Sequence, residues 1–172
     1  MTQLRHYDNL GTARFVTFST YRRQPTLIDC RTVTVVLNYL DAARSKHGFR
    51  LLGYVVMPEH IHLVLHPPDG MKLGFVIREI KSRSARDVYS HEPNAPKGVR
   101  RVFWQFRCYD HNCRSPESVV EKIRYCHNNP VKRGMVASPD EWQWSSWVCY
   151  HGAKDVPLVV DVEEWYASVL SN

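Results

Sequence analysis

The chain has 172 residues, of which 44% are hydrophobic and 23% are charged, proportions that are ordinary for one soluble domain with its own core. No apolar run approaches the roughly 20 residues that a membrane helix needs. The first residues also lack the apolar stretch of a secretory signal. We therefore expect a cytoplasmic protein with no membrane partner.

The charge balance favours a polyanionic partner. Basic residues outnumber acidic ones by 23 to 17, which gives a net charge of +6. The candidate phosphate contacts fall into short clusters: Arg22 and Arg23; Arg78, Lys81 and Arg86; Lys97 to Arg101; Lys132 and Arg133. Each cluster could equally be solvated surface.

The five cysteines show no disulfide spacing, so we expect reduced thiols. Cys108, His111 and Cys113 are close enough in sequence to suggest zinc. No Cys-x-x-Cys pair supports such a site, so a zinc centre is the weaker interpretation.

Runs of apolar, aromatic and β-branched residues predict four strands. They cover residues 12–20, 50–57, 60–66 and 102–113. The second and third strands are separated by residues 58–59 alone, which indicates a tight antiparallel hairpin.

Two helices are predicted between these strands. The first is capped by Asp29 or Thr32, runs to about Lys46 and is ended by Gly48. The second covers about residues 71–90, and we expect a polar, mobile loop after it, over residues 91–100.

A third helix is predicted to begin at Ser115, with Pro116 in its first turn. It should stop near Asn129 and Pro130, because a residue before proline avoids the α region. The order of all these elements predicts an α+β fold, with an antiparallel sheet and helices mainly on one face. The other face would be free to carry a site.

A pair of histidines occupies the third predicted strand. Side chains alternate along a strand, so His60 and His62 point to one side of the sheet while Ile61 and Leu63 point to the other. Two imidazoles on an open face can clamp a divalent metal. The alternative is a pair of polar histidines on a solvated face.

The third helix carries a tyrosine away from its apolar stripe. The stripe spans about 120° of the helical wheel and consists of Val119, Val120, Ile123 and Cys126. Tyr125 lies about 150° from the centre of this stripe, and Asn129 follows one turn later on the same side. If this helix crosses the sheet face, Asn129 can join the histidines as a metal ligand. Otherwise Tyr125 is an exposed tyrosine and Asn129 a helix terminator.

Several motifs together resemble a known family, the single-tyrosine HUH transposases, and among them the REP-associated tyrosine transposases. The resemblance covers about residues 10–150 and rests on residues 55–64, 103–105, 109–111, 123–136 and 142–146. It implies a ferredoxin-like or palm-like fold for residues 1–151. Residues 152–172 fit only loosely and would be a C-terminal tail that docks, regulates the site or helps to bind DNA.

The resemblance also implies an activity, the cutting and rejoining of single-stranded DNA near hairpins. Tyr125 would attack a phosphate, forming a 5′-phosphotyrosine and releasing a 3′-hydroxyl. His60, His62 and Asn129 would hold Mg²⁺ or Mn²⁺. The protein would act as a monomer or a homodimer, with the tyrosine used in cis or exchanged between subunits.

Some residues depart from the family pattern or fit it without a role. Cys126 and His127 stand where apolar or aromatic residues are expected, so the local packing could differ. We expect His66 to be polar surface or a DNA contact, His111 to be structural, and Glu59 to be a turn residue rather than a metal contact through water.

Two other functions remain open from the sequence. One is a module of the same fold that binds hairpin DNA without catalysis. The other is an unrelated metal-dependent hydrolase, in which the histidine pair activates water and Tyr125 has no role.

Overall fold

The structure, a computed structural model, describes residues 12–91, 101–153 and 155–162. Its strands and helices follow in the order β1 (Arg14–Thr20), α1 (Cys30–His47), β2 (Arg50–Met57), β3 (His60–His66), α2 (Leu73–Ser90), β4 (Trp104–Asn112), α3 (Pro116–Lys132) and α4 (Trp147–Tyr150). Single 3-10 turns lie at Tyr21–Arg23 and Pro139–Glu141. Except for His91, the predicted loop lies outside the described residues.

The four strands form one antiparallel sheet in the order β2-β3-β1-β4. This is the ferredoxin-like arrangement of a βαββαβ chain. The predicted α+β class and the β2–β3 hairpin are confirmed. Strand β3, which carries the histidine pair, lies inside the sheet between β2 and β1.

Helices α1 and α2 cover one face of the sheet, where Ile61, Leu63 and Leu65 are fully buried in the larger of two apolar clusters. Asp29 caps α1, because its side chain accepts a hydrogen bond from the Thr32 backbone N–H. Gly48, with a φ of 68°, ends the helix in the left-handed conformation.

Helix α3 lies across the opposite face, so that face is not free as expected. Its predicted stripe is buried in the second apolar cluster, together with Leu52, Val55 and Val64 of the sheet. Gly53 permits the close approach of α3, since a Cβ atom there would lie 3.2 Å from Ile123 Cγ1. Two of the three long helices thus share one face, and the third leaves only part of the other face uncovered.

Both ends of α3 follow from short-range bonds. At its start, Ser115 and Ser118 each accept a hydrogen bond from the other's backbone N–H, which is a capping box. The predicted end was wrong, because α3 continues through Pro130 to Lys132. Pro130 falls in the last turn, so its missing N–H and the kink that it favours affect only the end of the helix. Gly134, with a φ of 67°, then closes the turn.

The described part of the C-terminal tail docks on the α1 and α2 side. Leu158 and Val160 are buried in the larger cluster, and the Asp161 carboxylate accepts hydrogen bonds from Arg44 Nη2 at 2.5 Å and Leu51 N at 2.8 Å. The boundary between the domain and the tail stays a prediction. Within the described ranges, no helix has the length and apolar character needed to cross a bilayer.

Candidate active site

The two histidines of β3 meet at one point. His60 and His62 face α3 and are 5% and 6% exposed. Their Nε2 atoms lie 2.9 Å apart. Two ring nitrogens at this distance can share one proton or converge on one cation.

The outer nitrogen of each ring has its own partner. His60 Nδ1 lies 3.0 Å from Glu59 Oε1, which can only accept, and 3.4 Å from Arg23 Nη2, which can only donate. The shorter contact favours a proton on Nδ1. His62 Nδ1 lies 2.7 Å from Thr17 Oγ1, directly across the β1–β3 register. With Thr17 accepting from Nδ1–H, both Nε2 lone pairs are free to bind a metal.

The surroundings keep both rings neutral. Burial lowers the pKa of His60, despite the nearby Glu59 carboxylate. Burial, helped by the positive charge of Arg23 and by the repulsion that a second protonated ring beside His60 would meet, lowers the pKa of His62 to about 3. Neutral imidazole is the form that binds metal, so the pair needs no deprotonation at neutral pH.

Asn129 supplies an oxygen beside the histidines. The residue is 6% exposed and lines the same cavity, and its Oδ1 atom has no hydrogen-bond partner among the described residues. A buried acceptor without a partner costs about 1–3 kcal/mol. Two imidazole nitrogens and one amide oxygen form a donor set that fits a divalent cation and leaves coordination positions for a substrate oxygen.

Tyr125 stands at the edge of this donor set. Its ring centroid lies 5.2 Å from that of His62 and 5.7 Å from that of Phe15. The side chain is 38% exposed, and Lys132 Nζ lies 5.6 Å from the ring. The predicted approach of the third helix to the histidine pair is therefore present in the structure.

An open cavity of about 540 Å³ joins these groups. Its lining residues are Thr17, Arg23, Glu59, His60, His62, Tyr125, Asn129, Lys132 and Arg133. Of the predicted DNA contacts, Arg23, Lys132 and Arg133 are thus brought to the site. Arg22 is exposed next to them and lies over the Tyr21 ring at 5.3 Å.

The predicted contacts on α2 lie on the opposite side of the sheet. Arg78 and Arg86 are exposed there. Lys81 is buried and donates hydrogen bonds to the carbonyls of Gln105 and Phe106, and burial lowers its pKa. Lys81 therefore joins α2 to β4 in this structure, which is not the solvent-facing position expected of a DNA contact.

Sequence reasoning missed the importance of Glu59 and Thr17. Glu59 occupies the predicted turn, but it is 7% exposed and forms ion pairs with Arg23 and Arg133. Burial raises its pKa, but hydrogen bonding and the charges of its partners outweigh burial and hold that pKa below the usual value. The sequence feature that could have identified Glu59 is its position as a charged residue between two apolar strands, next to His60. No sequence feature could have identified Thr17, because its pairing with β3 depends on strand order.

The other candidate metal site is not supported. The described ranges contain no cluster of three or more His, Cys, Asp or Glu side chains arranged to hold a metal. His111 instead stacks on Tyr109, with 6.3 Å between the ring centroids. All five cysteines are free thiols in this structure.

Comparison with known proteins agrees with this fold. A REP-associated tyrosine transposase of Escherichia coli K12 is 25% identical, over 85% of this chain and 82% of the relative. A Haemophilus influenzae Rd protein provisionally given the same name is 23% identical, over 86% of this chain and 93% of the relative. A solved structure of a REP-associated tyrosine transposase bound to a REP hairpin superposes with a TM-score of 0.75 at 23% identity, covering 95% of this chain and 94% of that one.

The family assignment rests on a match to a family model. Residues 9–129, which include the histidine pair, Tyr125 and Asn129, match the family described as IS200-like transposases. The chain therefore belongs to the IS200-like transposase family and is a distant relative of the REP-associated tyrosine transposases.

Proposed function

We propose that this protein cuts and rejoins single-stranded DNA near hairpins through a covalent bond between DNA and Tyr125. The observation that carries the proposal is the meeting of three features in one cavity: the converging Nε2 atoms of His60 and His62, the unpartnered Oδ1 of Asn129, and the half-exposed Tyr125. A histidine pair that only packed against α3 would need neither the buried free acceptor nor the adjacent phenol.

His60, His62 and Asn129 would hold Mg²⁺ or Mn²⁺. When bound, the ion supplies Lewis acidity to the phosphate under attack. Both ions prefer oxygen ligands, so two imidazoles imply modest affinity and a need for further oxygens from the substrate. Arg23, which lines the cavity, would hold the negatively charged phosphate beside this group.

In the cutting step, Tyr125 Oη attacks a backbone phosphorus. A bond forms between Oη and phosphorus, and the bond from phosphorus to the 3′ oxygen breaks. The phenol proton ends on that oxygen, so the products are a 5′-phosphotyrosine and a free 3′-hydroxyl. Holding the phenol at the edge of the cavity reduces the entropy cost of this step.

In the joining step, a 3′-hydroxyl attacks the same phosphorus and displaces Tyr125. One phosphodiester bond replaces another in the complete reaction, so no nucleotide energy source is required. Tyr125 and the histidines of one chain already line one cavity. We therefore expect the tyrosine to act in cis, in a monomer or in each subunit of a dimer.

The hairpin specificity is inferred from relatives. The superposed relative is bound to a REP hairpin, and the E. coli relative is named for association with REP sequences. We propose that a related DNA hairpin, flanked by a single strand, is the substrate here. The net charge of +6 and the basic cavity rim favour such a partner.

A denaturing gel tests the proposal. The protein is incubated with Mn²⁺ and labelled single-stranded oligonucleotides that carry REP-like hairpins. Wild type should give a band of label attached to protein, and Tyr125→Phe should give none. Tyr109→Phe is the matched control, because Tyr109 is an exposed tyrosine of β4, and it should retain the band.

Other outcomes would contradict the proposal. Cleavage without an adduct, unaffected by Tyr125→Phe, would indicate a metal-dependent hydrolase. Tight hairpin binding without any adduct, across many hairpin sequences, would indicate a catalytically inactive binding module.

A further inference from the structure

We propose that Glu59 is a positioning residue that orients His60 and anchors the end of α3, so that the ligands and Tyr125 share one cavity. The proposal rests on the function proposed above and concerns the same site. Nothing in the sequence pattern required it, since Glu59 was expected to be a turn residue.

The geometry centres on one oxygen. Glu59 Oε1 accepts hydrogen bonds from His60 Nδ1 at 3.0 Å, from Arg23 Nη2 at 3.0 Å and from Arg133 Nη1. The Glu59 side chain is 9% exposed, while the two arginine side chains remain 55% and 43% exposed. A buried carboxylate therefore gathers donors from β3, from the 3-10 turn after β1, and from the end of α3.

The contact with His60 fixes both tautomer and ring orientation. Because the carboxylate accepts from Nδ1–H, the lone pair of His60 stays on Nε2, which points at His62. A glutamine at position 59 could accept through its amide oxygen, but it could also donate, and would no longer enforce this tautomer.

The contact with Arg133 holds α3. Arg133 is the residue at the C-terminal end of this helix, and its backbone N–H donates to the Asn129 carbonyl at 3.1 Å. The Glu59–Arg133 ion pair thus ties the turn that precedes His60 to the turn of helix that carries Asn129. Without this tie, Asn129 Oδ1 would be free to move away from the histidines.

The contact with Arg23 involves a strained backbone. Arg22 and Arg23 have φ values of 54° and 53°, so two successive residues with side chains occupy the left-handed region. Backbone bonds hold the same corner, since Thr20 N donates to the Glu59 carbonyl at 3.0 Å and Leu27 N to that of Pro58 at 2.9 Å. This corner of the backbone directs the Arg23 guanidinium toward Glu59 and the cavity.

The charge of Glu59 matters as well as its shape. Arg23 and Arg133 place two positive charges beside a site for a divalent cation, which they would repel. The buried carboxylate offsets that repulsion, and it does so at short range with little solvent screening. Loss of the charge should therefore weaken ion binding even if the ring of His60 stays in place.

The test measures Mn²⁺ binding to the full-length protein by calorimetry, without DNA. Glu59→Gln should bind Mn²⁺ about 10- to 100-fold more weakly than wild type, the range seen when partners of metal-ligating histidines are removed. The matched control is Glu79→Gln. Glu79 also pairs with cations, Lys46 at 2.7 Å and Arg83 at 3.6 Å, but lies between α1 and α2, so its loss should not change Mn²⁺ affinity.

A second readout does not depend on metal. Nitrogen NMR of histidine-labelled, metal-free protein should show the His60 proton on Nδ1 in wild type and in Glu79→Gln. In Glu59→Gln this preference should be lost. A folded Glu59→Gln protein with wild-type Mn²⁺ affinity and the wild-type tautomer would overturn the proposal. If Glu59→Gln does not fold, the wild-type spectrum decides alone, and a His60 proton on Nε2 there would overturn the proposal.

These outcomes can be separated from failure of the proposed function. A wild-type protein that gives no DNA adduct, while Glu59→Gln changes the tautomer, would overturn the function but keep the positioning role in ion binding. Normal adduct formation by wild type, with neither readout changed in Glu59→Gln, would overturn the role of Glu59 alone.

Discussion

At the scale of residues, two buried polar side chains of α3 show how a structural group differs from a candidate ligand. His127 Nε2 lies 3.0 Å from Ser146 Oγ, and its ring packs against Trp147 and Tyr150. Asn129 Oδ1 is buried just as deeply, without a hydrogen-bond partner among the described residues. His127 therefore holds the fold together, whereas Asn129 is suited to receive a ligand.

Replacement of Asn129 should separate ion binding from stability. Asn129→Ala removes one of three proposed protein ligands, so Mn²⁺ affinity measured by calorimetry should fall about tenfold or more, the size of effect seen even when a ligand's own partner is removed. Because the lost oxygen is buried without a partner, its removal should not lower the free energy of unfolding without metal, and relief of the unpaired acceptor should raise it by up to about 1–3 kcal/mol. An unchanged Mn²⁺ titration would remove Asn129 from the site.

His127 should make stability depend on pH. Burial lowers its pKa in the folded protein to about 3, below the value of about 6.5 expected after unfolding. Its contribution is complete above pH 6.5 and is lost as the pH falls toward 3, by about 1.4 kcal/mol per pH unit. Urea unfolding at pH 7 and pH 5 should show a smaller loss in His127→Gln than in wild type. Equal losses would contradict a neutral, buried His127.

At the scale of elements, the position of α3 over β2 decides whether Tyr125 reaches the histidines. Gly53 lies under this helix, and a Cβ atom there would press on Ile123 Cγ1 at 3.2 Å. Ile123 is itself fully buried. The missing side chain at Gly53 thus permits α3 to lie close to the sheet at this point.

A double-mutant cycle tests this contact. Gly53→Ala should lower the free energy of unfolding by about 1–3 kcal/mol through overpacking, and Ile123→Ala by about 2–5 kcal/mol through loss of a buried side chain. In the double variant the added methyl group enters the space left by Ile123, so the total loss should be smaller than the sum. Additive losses, measured by urea unfolding, would show that the two residues do not press on each other.

The same elements show what the sequence could predict. Alternation along residues 60–66 placed both histidines on one face, and the wheel of α3 placed Tyr125 and Asn129 away from the main apolar stripe, because both patterns depend on local geometry alone. Strand order, and with it the contact between Thr17 and His62, depends on pairing across 45 residues and leaves no local signal. The sequence pattern predicts too early an end for α3, because a proline in the final turn disturbs only the end of a helix.

The burial of Glu59 was equally unavailable to local reasoning. An acidic residue in a two-residue turn is usually exposed, and here two arginines from distant parts of the chain cover it. Its pairing partners lie 36 and 74 residues away. The sequence thus predicted the donors of the candidate metal site, but it did not predict the groups that orient them.

At the scale of the whole molecule, basic residues occur on both sides of the sheet. Arg23, Lys132 and Arg133 line the cavity on the α3 side, whereas Arg78 and Arg86 are exposed on α2. A hairpin stem and its flanking single strand could therefore contact more than one surface of the protein.

Salt dependence should reveal which arginines touch phosphates. Hairpin DNA binding should weaken steeply as salt rises, because each phosphate contact releases counterions. Arg78→Ala and Arg86→Ala should each reduce the slope of log affinity against log salt by about one. Arg83→Ala is the control, since Arg83 faces α1 beside Glu79, and its slope should match wild type. Equal slopes in all variants would show that Arg78 and Arg86 do not contact phosphates.

The central claim is that Tyr125 forms the bond to DNA. Its most direct test is mass spectrometry of the protein after reaction with a hairpin oligonucleotide and Mn²⁺, followed by digestion with nuclease and protease. We expect a peptide that carries a nucleotide 5′-phosphate on Tyr125. A nucleotide mapped to any other side chain, or complete cleavage of the DNA with Tyr125 unmodified throughout the reaction, would contradict it.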